Sequence, residues 1–276
     1  MSAQLSIALN DGHSIPQVGL GVWRTPQNVA DSAVHAALAG GYRHIDTAAA
    51  YENEDGVGKG IRSSGVARSD IFVTTKLWNT DQGFDATMEA FDQSLTRLGL
   101  DYVDLYLIHW PAPQKDRYVD TWRALIRLKE EGRARSIGVS NFGASHLDRI
   151  VGETGVVPVL NQIELHPRFQ QRALRETNTK FGIATESWSP LGQGALLTDP
   201  TIASIAVKHG RSPAQIVIRW HLENGLIVIP KSVTPSRIAE NFDVFDFGLD
   251  AGDLAAIAKL DSPDGRIGPD PATAAF

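Results

Sequence analysis

The chain has 276 residues, 42% of them apolar and 21% charged, with a formal net charge of −6 and no cysteine. That is enough apolar material for one large core, and the acidic balance gives no general drive toward nucleic acid or anionic membrane. The absence of cysteine excludes disulfides, thiol chemistry and Cys-built zinc sites, and no apolar run approaches the roughly 20 residues of a membrane span.

The opening "MSAQLSIALNDG" has neither a basic start nor a long apolar stretch, so it reads as no signal peptide, and the default address is the cytoplasm. "LSIALNDGHSIPQVG" reads as a hairpin turning at "NDG". Eight short apolar strand candidates follow: "QVGLGV", "RHIDT", "DIFVTTK", "VDLYLIH", "ARSIGVS", "VLNQIEL", "IATESW" and "LIVIPK". Helical spacing lies between them. Val29, Ala33, Ala36 and Ala37 share a face that ends at Gly40-Gly41; Met88, Phe91, Leu95 and Leu98 share another, stopped by Gly99. Trp122, Leu125 and Ile126 precede Gly132, and Leu147, Ile150 and Val151 precede Gly155. "SPAQIVIRWHLENG" starts with Ser212 as N-cap and Pro213 at the first helical position.

Eight strands alternating with helices predict a (β/α)8 TIM barrel with an N-terminal β-hairpin and an extra C-terminal helix and loop, one domain over residues 1–276. A doubly wound sheet would open with a Gly-rich phosphate turn, and none follows the first strand. "GVGKG" at 56–60 falls in a predicted helix and has no Ser or Thr after Lys59, so its glycines are expected to serve packing.

In such barrels chemistry gathers at the C-terminal ends of the strands. The second strand ends with Asp46 and leads to Tyr51; the third ends with Lys76, the fourth with His109 and the fifth with Ser140-Asn141. Gln162 and Glu164 ride on the sixth, Glu186 and Trp188 on the seventh, and the eighth ends with Lys231-Ser232. Singly, Asp46 reads equally well as a helix cap, Lys76 as a snorkelling lysine and His109 as a core histidine. Together they crowd one mouth, where Asp46 and Lys76 are expected to pair. An ammonium beside a phenol lowers the phenol's pKa and makes it a proton donor. A histidine that orients a carbonyl completes what carbonyl reduction asks of a protein.

The sequence resembles the aldo/keto reductases through "GYRHIDTA", "TTKLWN", "VDLYLIHWP", "SIGVSNF", "NQIELHP", "SPLGQG" and "IPKSVTPSRIAEN", and it is most similar to bacterial 2,5-diketo-D-gluconate reductases. The resemblance implies a catalytic tetrad of Asp46, Tyr51, Lys76 and His109, with Tyr51 as the acid and Lys76 and Asp46 depressing its pKa. It implies NADPH (NADP+) as cofactor. Ser140, Asn141 and Gln162 would hold the nicotinamide carboxamide, and Trp188 would stack on the ring. Val22, Trp23 and Asp46 would sit nearby, and Ser189, Leu191, Gln193 and Gly194 would fold over the pyrophosphate. Lys231, Ser232, Val233 and Arg237 would meet the 2′-phosphate, and Glu240 and Asn241 the adenine. Physically, Thr234 as N-cap with Pro235 after it sets a helix N-terminus beside the last strand, a usual phosphate site.

The carbonyl substrate is expected between Trp23, Trp78, Trp110 and Phe142, above Tyr51 and His109, and Arg266 in the Pro/Gly-rich tail is a weaker candidate for an acidic substrate. The implied partner is a small carbonyl compound, with no nucleic acid or membrane, no metal and a monomeric state. Two other readings stay open: a Schiff-base lyase using Lys76, and a non-catalytic NADPH-binding module.

Overall fold

The computed structural model describes residues 4–274. Strand β1 (Ser6–Ala8) pairs antiparallel with β2 (Ser14–Pro16), Ile7 opposite Ile15. The chain turns at "NDG" as expected: the Leu9 N–H bonds the His13 carbonyl at 2.8 Å across it, and Gly12 sits at φ 90°, where glycine is favoured.

Eight parallel strands follow in sequence order: β3 (Leu20–Gly21), β4 (His44–Asp46), β5 (Phe72–Leu77), β6 (Val103–Ile108), β7 (Ala134–Ser140), β8 (Leu160–Glu164), β9 (Ala184–Trp188) and β10 (Ile227–Val228). The first and last are shorter than their apolar runs. Parallel bridges Val18–Val228 and Gly21–Lys231 still join them, with Gly19 N–H on the Val228 carbonyl at 2.9 Å, so the sheet closes on itself. Closure leaves no free sheet edge and directs alternate side chains inward.

The outer layer holds α1 (Gln27–Ala39), α2 (Glu54–Ser63), α3 (Phe84–Leu98), α4 (Tyr118–Glu130), α5 (Ala144–Thr154), α6 (Arg172–Lys180), α7 (Pro200–His209), α8 (Pro213–Glu223), α9 (Pro235–Phe242) and α10 (Ala251–Ala258). Helix α8 starts as its sequence predicts. Ser212 and Gln215 form a reciprocal capping box, with bonds of 3.3 and 3.0 Å, and Pro213 stands at the first position. Helix α7 is an addition to the sequence reading; Asp199 caps it by accepting the Thr201 N–H at 2.9 Å. Thr234 occupies the cap position of α9 without capping it through its side chain; its own N–H donates to Ser232 Oγ at 3.2 Å.

The glycines of "GVGKG" are packing devices inside α2. A Cβ at Gly58 would lie 1.9 Å from the Leu98 carbonyl oxygen, and one at Gly56 would lie 2.5 Å from that of Gln27, so α2 approaches α1 and the end of α3 at backbone distance. Between sheet and helices, Phe91, Tyr106, Trp122 and Leu125 are fully buried. Inside the barrel, the hairpin side is apolar: Leu9 and Ile15 pack on Phe72, Leu105 and Leu160. The opposite end of the interior carries Asp46, Lys76, Gln162 and Glu186, all buried. The apolar plug at one end and the polar layer at the other set where chemistry can occur.

Candidate active site

Strand β4 delivers Asp46, and a short 3-10 turn at Ala49–Tyr51 brings Tyr51 back to the same mouth. Asn53 fixes that return. It accepts from Thr47 Oγ1 at 2.8 Å and donates to the Val22 and Thr25 carbonyls at 2.9 and 3.0 Å. Lys76 reaches in from β5. Its Nζ donates to Asp46 Oδ1 at 2.6 Å, to the Thr47 carbonyl at 2.9 Å and to the Tyr51 hydroxyl at 3.4 Å. His109 follows β6, its ring edge-on to Tyr51 with centroids 5.6 Å apart and to Trp78 at 5.2 Å. The sequence-predicted four thus converge.

Burial dominates the electrostatics. It raises the Tyr51 phenol above its ordinary value of 10.0; the Lys76 ammonium opposes this, the Asp46 charge adds to it, and Glu186 adds to it when ionised. The expectation that Lys76 and Asp46 together depress the phenol is therefore corrected. Only Lys76 lowers it, and burial outweighs that pull. Burial lowers Lys76, yet the adjacent Asp46 carboxylate reverses the sign and leaves the ammonium raised. His109 is held well below 6.5 by burial and by the Lys76 charge, so its imidazole is neutral. Its Nδ1 is buried without a hydrogen-bond partner.

These groups open into a cavity of about 1390 Å3. Next to the tetrad, Ser140, Asn141, Gln162 and Trp188 line it. Asn141 stands at φ 65° and is clamped: Nδ2 donates to the His109 carbonyl at 2.9 Å, and Oδ1 accepts from Trp188 Nε1 at 2.8 Å. Ser140 Oγ donates to the Gln162 carbonyl at 2.8 Å. Both N–H bonds of the Gln162 amide point at protein carboxyls, Asp46 Oδ2 at 2.8 Å and Glu186 Oε2 at 2.7 Å. Farther along, Ser189, Leu191, Gln193 and Gly194 form one wall, with Ser189 and Gln193 in left-handed backbone at φ 49° and 53°. Lys231, Ser232, Val233, Arg237, Glu240 and Asn241 line the far end. Lys231 and Arg237 have no carboxylate partner among the described residues.

Trp23, Trp78 and Trp110 also line the cavity. Three expected residues do not. Phe142 is fully buried, packed edge-on against Tyr118 at 5.6 Å and His146 at 5.8 Å, so it supports the loop from beneath. Val22 is buried behind the wall. Its N–H is bonded to the Asp46 carbonyl at 3.1 Å and its carbonyl to Asn53, so neither backbone group is free for a ligand. Arg266 does not line the cavity either; its guanidinium lies 4.7 Å from the Phe169 ring centroid.

The tail closes the mouth through other atoms. The Ile267 and Gly268 N–H groups donate to the Glu164 carboxylate at 2.6 and 2.9 Å, and Gly268 and Pro269 line the cavity. A Cβ at Gly268 would lie 2.5 Å from the Trp188 ring, so only glycine admits this approach. Sequence reasoning placed Glu164 and Glu186 on strands without giving them tasks. It passed over Arg24, which stands at the mouth over the Trp23 ring at 4.1 Å, in left-handed backbone at φ 55°.

Comparison with known proteins agrees with this architecture. The model of the aldo/keto reductase family matches residues 17–262. An aldo-keto reductase of Mycolicibacterium smegmatis is 61% identical over 270 residues, 98% of each chain. Methylglyoxal reductase DkgA of Salmonella typhimurium is 57% identical over 267 residues, 96% of each chain. A crystal structure of a Gox0644 mutant in complex with NADPH superposes with a TM-score of 0.97 at 57% identity, covering all of both chains. With eight strands closed into a barrel, a polar cluster at their C-terminal ends and these similarities over nearly its whole length, the chain belongs to the aldo/keto reductase family.

Proposed function

We propose that the chain reduces aldehydes and ketones to alcohols with NADPH, Tyr51 giving the proton to the carbonyl oxygen. The observation that carries this reading is the buried Asp46–Lys76–Tyr51 arrangement, which opens beside a neutral His109 into the cavity that ends at the unpaired Lys231 and Arg237.

The residues present suit that cofactor. The uncapped N-terminus of α9 and the cations Lys231 and Arg237 would hold its 2′-phosphate. The turn from Ser189 to Gly194 would cover the pyrophosphate, and Glu240 and Asn241 would meet the adenine. Trp188 would stack on the nicotinamide. Its carboxamide would find acceptors in Gln162 Oε1 and the second lone pair of Asn141 Oδ1, since the donors of both side chains are engaged. Bound NADPH would supply a hydride to the carbonyl carbon.

The protein's own part is proton chemistry. Neutral His109 donates an N–H to the carbonyl oxygen from Nε2, because Nδ1 is walled off. The Tyr51 phenol is protonated before reaction, as a general acid must be. As its proton leaves, the growing phenolate stands 3.4 Å from the Lys76 ammonium. At an effective dielectric of about 20 that attraction is about 5 kcal/mol, before the opposing Asp46 charge is counted. Asp46 holds Lys76 charged and in place. A salt-bridged, raised lysine offers no free amine, which speaks against the Schiff-base alternative.

For the substrate we propose small dicarbonyl compounds, methylglyoxal and diketo sugar acids of the 2,5-diketo-D-gluconate type. The similarity to DkgA supports this, as do the apolar mouth of Trp23, Trp78 and Trp110 and Arg24 beside it. We further read the protein as a cytoplasmic monomer, a reading that size-exclusion chromatography and cell fractionation test. The test is a carbonyl panel assayed with NADPH and NADH in parallel, including methylglyoxal, 2,5-diketo-D-gluconate, an uncharged aldehyde and a keto ester. The reading expects the highest kcat/KM with NADPH on the dicarbonyls. Tight NADPH binding without turnover of any carbonyl would replace it with the non-catalytic module.

A further inference from the structure

Beneath the tetrad lies a buried carboxyl that the proton chemistry above does not use. Glu186 on β9 points into the barrel, flanked in the ladder by Gln162 on β8 and Ile227 on β10. Its Oε2 accepts from Gln162 Nε2 at 2.7 Å, the same amide nitrogen that donates to Asp46 Oδ2 at 2.8 Å. Its Oε1 is buried with no hydrogen-bond partner, and His44 Nε2 stands 3.6 Å from it. One amide thus bridges two carboxyls, of which only Asp46 touches an ammonium.

The charge count is short. The titratable groups facing Glu186 are His44 and Asp46 from β4, Lys76 from β5 and Tyr51 from the turn after β4; β8 contributes the uncharged Gln162, and β10 only Ile227 and Val228. Burial holds His44 neutral, down at about 3. Two ionised carboxyls would therefore share one cation, leaving a buried negative charge uncompensated. Asp46 lies 2.6 Å from Lys76 Nζ, so the carboxyl that keeps a proton is Glu186. An O–H on Oε1 would face His44 Nε2 at 3.6 Å, an approach rather than a hydrogen bond, and that nitrogen also lies 3.3 Å from Thr74 Oγ1. Burial and the Asp46 charge raise Glu186 from 4.5 to about 8.

We propose that Glu186 is a positioning residue for the reduction, a protonated carboxyl held between His44 and Gln162 that fixes the amide on Asp46 and keeps the tetrad without net charge. This rests on the assignment of Tyr51 as the acid. When Glu186 loses its proton, the added negative charge opposes formation of the Tyr51 phenolate, so reduction slows. The device is an alkaline limb located beneath the reacting groups.

The test compares wild type, Glu186→Gln and Glu186→Ala in the pH profile of kcat for reduction, with NADPH binding measured separately. Glutamine keeps both contacts of the protonated carboxyl, with an N–H toward His44 and an oxygen toward Gln162, and cannot ionise. The proposal expects a wild-type alkaline limb near pH 8, and its displacement by at least about one unit in Glu186→Gln. Glu186→Ala should lose about tenfold or more in kcat, a loss that Glu186→Gln largely restores. An unchanged alkaline limb in Glu186→Gln, or equal damage in both variants, overturns it. Infrared difference spectra of the ligand-free wild type give a readout independent of turnover. A protonated-carboxyl carbonyl band should be present at about pH 6, vanish by about pH 9.5 and be absent from Glu186→Gln. No such band in the wild type refutes the proposal even if Tyr51 is the acid; a band with a fully active Tyr51→Phe instead refutes the assignment of Tyr51.

Discussion

Removing the charge of Asp46 tests how the site is held together. In Asp46→Asn, the fully buried Lys76 Nζ exchanges a carboxylate at 2.6 Å for an amide oxygen and keeps only the Thr47 carbonyl and the phenol as further partners. A buried charge left without its counterion costs about 3–5 kcal/mol, a large part of the 5–15 kcal/mol by which a domain is stable. Burial then acts on Lys76 unopposed by Asp46, so its pKa falls. Replacing both charges, as Asp46→Asn with Lys76→Met, removes the unpaired ion and should recover most of the loss. Urea unfolding of the ligand-free protein at about pH 7, read by far-UV circular dichroism, measures all three chains. A cost below about 1 kcal/mol in Asp46→Asn, or a double variant no more stable than the single, would refute the claim that this pair is a dry, mutually dependent ion pair.

Other consequences follow from the same geometry. Glu186 sits at about 8 in the folded chain against an ordinary 4.5, so the folded state keeps a proton that the unfolded chain releases. Its contribution is complete below pH 4.5 and is lost as pH rises through 8, on the order of 5 kcal/mol in all; in pH-dependent denaturation Glu186→Gln should flatten this slope. Lys231→Ala and Arg237→Ala should each raise KM for NADPH about tenfold and leave KM for NADH nearly unchanged, because in the proposed placement each would give a charged hydrogen bond to the 2′-phosphate. Phe142→Ala should cost about 3–5 kcal/mol in unfolding experiments, with substrate KM little changed, since its ring fills the core beneath the loop.

The barrel was legible because its signals are local. Strand-to-helix alternation, glycines at helix ends and the Ser212–Gln215 capping box each depend on a few neighbouring residues. The tetrad was legible because strand ends in this fold share one mouth, so Asp46, Lys76 and His109 could be placed together from chain position alone. What stayed hidden depends on pairings across the barrel. Phe142 looks like a pocket wall by its place after β7, and only the packing of Tyr118 and His146 shows that it faces the core. The sign of the Tyr51 shift depends on how deeply the phenol is buried, which a motif does not encode. Glu186 and His44 are separated by more than half the chain, and their approach to 3.6 Å follows only from closure of the sheet. Gly268 gives no local cue that a tryptophan ring will press on it.

The central claim is that Tyr51 is the proton donor and takes little part in holding the cofactor. Replacing it by phenylalanine removes the hydroxyl 3.4 Å from Lys76 and keeps the ring against His109. Carbonyl reduction by Tyr51→Phe should fall by about 10²–10⁴, while the Kd for NADPH, measured by fluorescence titration, stays within about twofold of wild type. Turnover near the wild-type rate, or loss of NADPH binding together with turnover, would contradict the account.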